Sequence, residues 1–120
     1  MSGATFPKSA RLLRPSEFST ALRGKRIGRG AFFMLSRYIH YSNPESTARL
    51  GLIIAKRYAQ RAISLNAIKR VIRESFRARR QQLPSGDYII RLHSKVPECS
   101  LTELKKITRQ EIDSLFDAVK

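Results

Sequence analysis

Residues 56–80, KRYAQRAISLNAIKRVIRESFRARR, constrain the fold more than any other stretch. Stepped round a helix at about 100° per residue, Leu65, Ile68, Ile72 and Phe76 fall on one stripe. Asn66, Lys69, Arg70, Arg73, Arg77 and Arg80 fall on a second, roughly a quarter-turn away. A helix of this kind must bury its first stripe in a core and hold its second in solvent. The stretch carries nine Lys or Arg and one acid, Glu74, so pairing along the helix cannot neutralise it. A polyanionic partner can.

The rest of the charge follows the same division. The 120 residues carry a formal charge of +15, and self-repulsion at that level works against a compact state. Residues 1–86 hold eighteen Lys or Arg against Glu17, Glu45 and Glu74, whereas residues 87–120 hold six of each sign. The excess therefore belongs to the first two thirds. A chain of this length is expected to form one domain, 1–120, with residues 1–10 a flexible basic arm. An apolar content of 42% suits a folded protein. Cys99 is the one cysteine, so no internal disulfide forms. No apolar run approaches the ~20 residues of a membrane span, and no signal core follows the N-terminus. A cytoplasmic protein with no membrane association is the expectation.

Along the chain, Pro15-Ser16-Glu17 opens a short helix with Phe18, Ala21 and Leu22 on one face. Residues 23–30, RGKRIGRG, read as a loop: either a mobile turn or a phosphate-contacting loop. Residues 31–41 and 48–55 read as strands joined by a hairpin, the second with Leu50, Leu52 and Ile54 on one face and Gly51 and Ile53 on the other. The basic helix covers roughly 62–82 and stops before Leu83-Pro84-Ser85-Gly86. Residues 87–92 form a further strand. Ser100 and Glu103 have capping-box spacing and start a last helix running to about Ala118. Its stripe is Leu101, Leu104, Ile107, Ile112, Leu115, Phe116 and Val119.

No self-sufficient protein active site emerges. His40 and His93 belong to no ligand motif, and a lone histidine on a strand reads as ordinary surface or core. Asp113 and Asp117, one turn apart, read as a solvated acidic face or, less simply, a metal site. Cys99 reads as structural. No catalytic or metal-ligating residue is therefore expected. Binding is the stronger case. Clustered cations release the counterions condensed on a phosphate backbone. Arginine, seven of the nine cations in 56–80, adds forked donors and a stacking plane.

The order RLLRPSEFSTAL, a basic glycine loop, RLGLIIAKR, RAISLNAIKRVIRESFR and GDYIIRL resembles the protein component of bacterial ribonuclease P over nearly the whole chain. The most specific part is 49–77, where the family carries an Arg-Asn-Arg-x-x-Lys-Arg-x-x-Arg motif. Leu65 and Ala67 stand in place of the two flanking arginines, which implies weaker affinity, a divergent RNA partner, or compensation from Arg61, Arg79 and Arg80. The resemblance implies an α/β (α+β) two-layer sandwich of the ribosomal-protein-S5-domain-2-like type. Its parts would be a four-stranded sheet, three helices and a left-handed βαβ crossover.

The resemblance also implies the protein subunit of a ribonuclease whose RNA is the catalyst. That RNA uses Mg²⁺ to remove the 5′ leader of precursor tRNA, the protein itself binding no cofactor. The implied partners are ribonuclease P RNA, at one to one, and precursor tRNA. Lys56, Arg57, Arg61, Asn66, Lys69, Arg70, Arg73, Arg77 and Arg80 would meet the catalytic RNA. Phe18, Phe33 and Arg11 would line a cleft for the leader, with Ser36 where some members have another aromatic. The alternative is a ribosome- or tRNA-associated RNA-binding protein with no part in cleavage. A stand-alone metal-dependent nuclease using Asp113 and Asp117 is a further rival; DNA binding has no helix-turn-helix or zinc-finger spacing behind it.

Overall fold

The computed structural model describes residues 22–39, 48–59 and 61–119. The basic arm and the helix expected from Pro15 lie outside these residues, so two of the three expected helices are described. The elements are β1 (Lys25–Arg29), β2 (Phe33–Tyr38), β3 (Ala48–Ile53), a single 3₁₀ turn (Lys56–Tyr58), α1 (Ala62–Arg79), β4 (Gly86–Leu92) and α2 (Leu101–Asp117). The strands form one mixed sheet in the order β1-β2-β4-β3. β2 is antiparallel to both β1 and β4, and β3 is parallel to β4 with α1 as the connection. This is an α+β fold.

Two expectations are corrected by the sheet. The glycine-rich stretch 23–30 is not a loop: Lys25–Arg29 is an edge strand. An edge strand needs only one paired side, so it accommodates cations and a register shift between Arg26 and Gly28, and both features hinder pairing with another chain. The hairpin between the second and third strands is also absent, because β4 inserts between β2 and β3. Every residue of β4 except Arg91 is buried. A strand this apolar on both faces belongs in the sheet's interior, and β3 is displaced to the far edge.

α1 and α2 share one sheet face. Phe33, Leu35, Leu50, Tyr88, Ile90 and Leu92 meet Leu65, Ile68, Ile72 and Phe76 of α1 and Leu104, Ile112, Leu115 and Phe116 of α2. Leu52 and Ile54 pack against this core, while Ile53 joins Ile89 on the opposite face, as the alternation predicts. The rings of Phe76, Tyr88 and Phe116 meet tilted or edge-on at 5.9–6.5 Å between centroids. On α2 the buried position is Thr108, with Ile107 half-exposed. Ser100 accepts from the Glu103 amide at 3.2 Å, which is the expected cap.

The helices run parallel, as the pairs Glu74–Arg109, Ser75–Asp113 and Arg79–Asp117 advance together. Glu111 of α2 reaches the sheet and accepts from the amides of Phe32 at 3.0 Å and Phe33 at 2.5 Å. A Cβ on Gly30 would sit 2.4 Å from that carboxyl carbon, so the β1–β2 turn needs glycine there. His93 Nε2 lies 3.0 Å from Gly30 O and holds the same turn. Gly86, at φ +146°, starts β4 in a conformation that glycine tolerates.

Tyr88 supplies a pH test. Its hydroxyl donates to Pro84 O at 2.5 Å, and burial raises its pKa above the usual value while Arg37 partly opposes the rise. The folded state therefore holds this proton more tightly than the unfolded chain does. The contribution is intact below about pH 10 and is lost as pH rises from there through the folded value. Tyr88→Phe should be less stable than the parent by about 1 kcal/mol at pH 7–9, from the lost hydrogen bond. The gap should narrow above pH 10 in urea titrations; a gap independent of pH would refute the burial account.

Candidate nucleic-acid interface

The basic stripe of α1 stands in solvent because its neighbouring stripe is anchored. Leu65, Ile68, Ile72 and Phe76 are buried, and Asn66, Arg70, Arg73 and Arg77 are exposed. Lys69 is half-buried on the same side. Arg80, also half-buried, donates from Nε to Ala48 O at 3.3 Å, so it ties the end of α1 to β3 as well. Upstream, Lys56, Arg57 and Arg61 are exposed, and the Arg57 guanidinium lies 4.8 Å from the centre of the Tyr58 ring, which orients it. Arg61 is the N-cap of α1 and makes no side-chain capping bond, and the first turn holds no acid. The positive end of the helix dipole thus adds to the same cationic end.

The two departures from the family motif now have a physical setting. Leu65 and Ala67 are 7% and 8% exposed, and Leu65 packs in the main core. Apolar side chains suit both positions in this fold.

Three sequence expectations change. Arg79 is not a compensating surface cation: it pairs with Asp113 and Asp117, each at 3.2 Å, and donates to Ser75 Oγ at 3.1 Å. Asp113 and Asp117 hold Arg79 rather than standing as an unpaired acidic pair, Asp117 staying largely exposed, and Asp113 also accepts from Ser75 Oγ at 2.6 Å. Among the described residues no group of three or more His, Cys, Asp or Glu is placed to hold a metal ion. Phe33 has no exposed surface and faces the helix layer, so it cannot offer a ring to a base. Phe18 and Arg11 lie outside the described residues.

The sheet face away from α1 and α2 carries cations that the sequence reading did not bring together. The register aligns Arg29, Met34, Arg91 and Ile53 in one row across the four strands, with Arg29 and Arg91 exposed, and places exposed Arg26 opposite Ser36. Arg49, on the same face, is half-buried and makes a two-point pair with buried Asp87 at 2.8 and 2.9 Å. The missing signal was the strand itself: once 25–29 is a strand, period two puts Arg26 on this face, and the bulge returns Arg29 to it.

A family model described as Ribonuclease P matches residues 6–119. The chain belongs to the ribonuclease P protein family. The ribonuclease P protein component of Bordetella avium (strain 197N) is 58% identical over 119 residues, covering 99% of this chain and 98% of its own. That of Paraburkholderia xenovorans (strain LB400) is 40% identical over 120 residues, covering 95% and 83%. In fold, a solved Staphylococcus aureus RNase P protein matches with a TM-score of 0.69 at 20% identity, over 91% of this chain and 99% of that one. The Thermotoga maritima RNase P protein matches with a TM-score of 0.62 at 20% identity, over 87% and 96%. Membership makes the chain a component of a ribonucleoprotein endonuclease of tRNA processing, with a ribonuclease P RNA as its partner. Among the described residues, no helix is long and apolar enough to cross a membrane.

Proposed function

We propose that this protein binds the catalytic RNA of ribonuclease P through α1 and its 3₁₀ turn, and helps that RNA remove the 5′ leader of precursor tRNA. The observation that carries the reading is the anchored ladder of Asn66, Arg70, Arg73 and Arg77, exposed beside a buried apolar stripe in a member of this family. Phosphate repulsion between two RNAs opposes their approach, and a rigid array of cations between them offsets it. The leader lies on the sheet face away from α1 and α2, where Arg26, Arg29 and Arg91 meet its phosphates; Met34 takes the place in the contact that Phe33 cannot fill. The protein supplies neither nucleophile nor metal ligand. Mg²⁺ belongs to the RNA, and the protein lowers the Mg²⁺ needed by screening phosphate charge. The complex is one protein to one RNA and works in the cytoplasm.

Reconstitution tests this division of labour. RNA-free protein should leave precursor tRNA intact. Adding the cognate ribonuclease P RNA should give leader cleavage at Mg²⁺ concentrations where the RNA alone is slow. Cleavage by protein freed of RNA would overturn the reading.

A further inference from the structure

Four of the six acids in residues 87–120 are held within the fold. Asp87 is buried against Arg49, Glu111 caps the amides of Phe32 and Phe33, and Asp113 and Asp117 hold Arg79. The cations of α2 have no comparable employment. Lys105, Lys106 and Arg109 are all exposed and share one face with Thr102, at helical spacing. Together with Arg70, Val71 and Glu74 of α1 they line a groove of about 530 Å³ between the two helices. Its one carboxylate, Glu74, bridges the groove loosely, 3.5 Å from Arg70 and 3.6 Å from Arg109. Four cations thus face one acid. Ion pairs at such distances between exposed groups contribute little, so the guanidinium groups remain available.

We propose that this α1–α2 groove is a second phosphate-backbone contact for the RNA that α1 engages, a reading that rests on the function proposed above. Continuity selects the partner. Arg70 belongs to the α1 ladder and also lines the groove, so a strand lying along the ladder runs on into it without leaving positive surface. The two helices are parallel here, and the lining spans about one turn of each, roughly 6 Å. That is a short track for a chain of repeating charges. Glu74 acts as an internal competitor that the phosphates displace.

The test separates the groove from the ladder. The probe is in vitro transcribed ribonuclease P RNA from the same organism, titrated at 50–200 mM salt. Lys105→Ala with Lys106→Ala should weaken binding roughly tenfold and make the log–log salt slope shallower by about two. Glu74→Gln should tighten binding. Arg73→Ala with Arg77→Ala, which leaves the groove untouched, reports on the ladder alone. A tethered Fe–EDTA at Thr102→Cys, in a Cys99→Ser background, should cut the RNA backbone locally. Unchanged slope in the double lysine variant, or no cutting from position 102, overturns the groove. If the ladder variant still loses slope, the proposed function stands without it; if neither variant loses slope, the RNA interface itself is misplaced. Circular dichroism on each variant excludes unfolding as the cause.

Discussion

Phe76→Ala should destabilise the protein by about 3–5 kcal/mol, the range for emptying a fully buried aromatic site. Phe76 has no exposed surface, and its ring sits between Tyr88 of the central strand and Phe116 of α2, 6.1 and 5.9 Å from their centroids. It is the point where both helices and the sheet meet, so no single neighbour can move in to fill the space. Total stabilities of domains are about 5–15 kcal/mol, so this one change removes a large share. At about 4 °C per kcal/mol for a chain of this size, the unfolding midpoint should fall by about 12–20 °C. Phe76→Leu should lose well under half as much. Urea denaturation of the three proteins checks the ranking, and a loss below about 1 kcal/mol for Phe76→Ala would show that the core does not depend on this contact. RNA binding should fail in the same temperature range, although the net charge is unchanged. That coupling follows from the placement of the ladder on a helix whose apolar side is buried in the core.

Periodicity made α1 and α2 legible because each is long and carries one buried stripe. β4 was legible because it is short, apolar, preceded by Pro84 and opened by Gly86. Strand order was not legible, since a turn-like run at 42–46 carries no record of a later strand inserting between its neighbours. β1 was hidden for a different reason: glycines and cations suit a loop, and they also suit an edge strand whose outer side stays unpaired. At the site, exposure of Asn66, Arg70, Arg73 and Arg77 could be read from their angle to the apolar stripe. The fate of Arg79 could not. Its two carboxylates are 34 and 38 residues away in sequence and reach it only because α2 lies parallel to α1. Phe33 shows the same limit, because an aromatic in a strand looks alike on either face until the helix layer is placed.

The contrast between Arg79 and its neighbours yields the largest binding effect. Arg70→Ala, Arg73→Ala and Arg77→Ala combined should make the salt slope for ribonuclease P RNA shallower by nearly three, since each phosphate contact contributes about 0.9. Between 50 and 200 mM salt the parent should then lose about fortyfold more affinity than the variant does. All three side chains are exposed, so the fold should persist, and urea titrations should place the variant within about 1 kcal/mol of the parent. Arg79→Ala should do the reverse. It removes one positive charge from the same helix, strands Asp113 and Asp117 beside each other, and lowers the unfolding midpoint while leaving the slope in place. A general attraction between a +15 protein and RNA would respond to loss of charge anywhere on the helix, Arg79 included. A surface contact responds only to the cations that reach it. Equal slope loss per charge in the two variants would therefore reduce the interface to net charge, and loss confined to Arg70, Arg73 and Arg77 would establish a face.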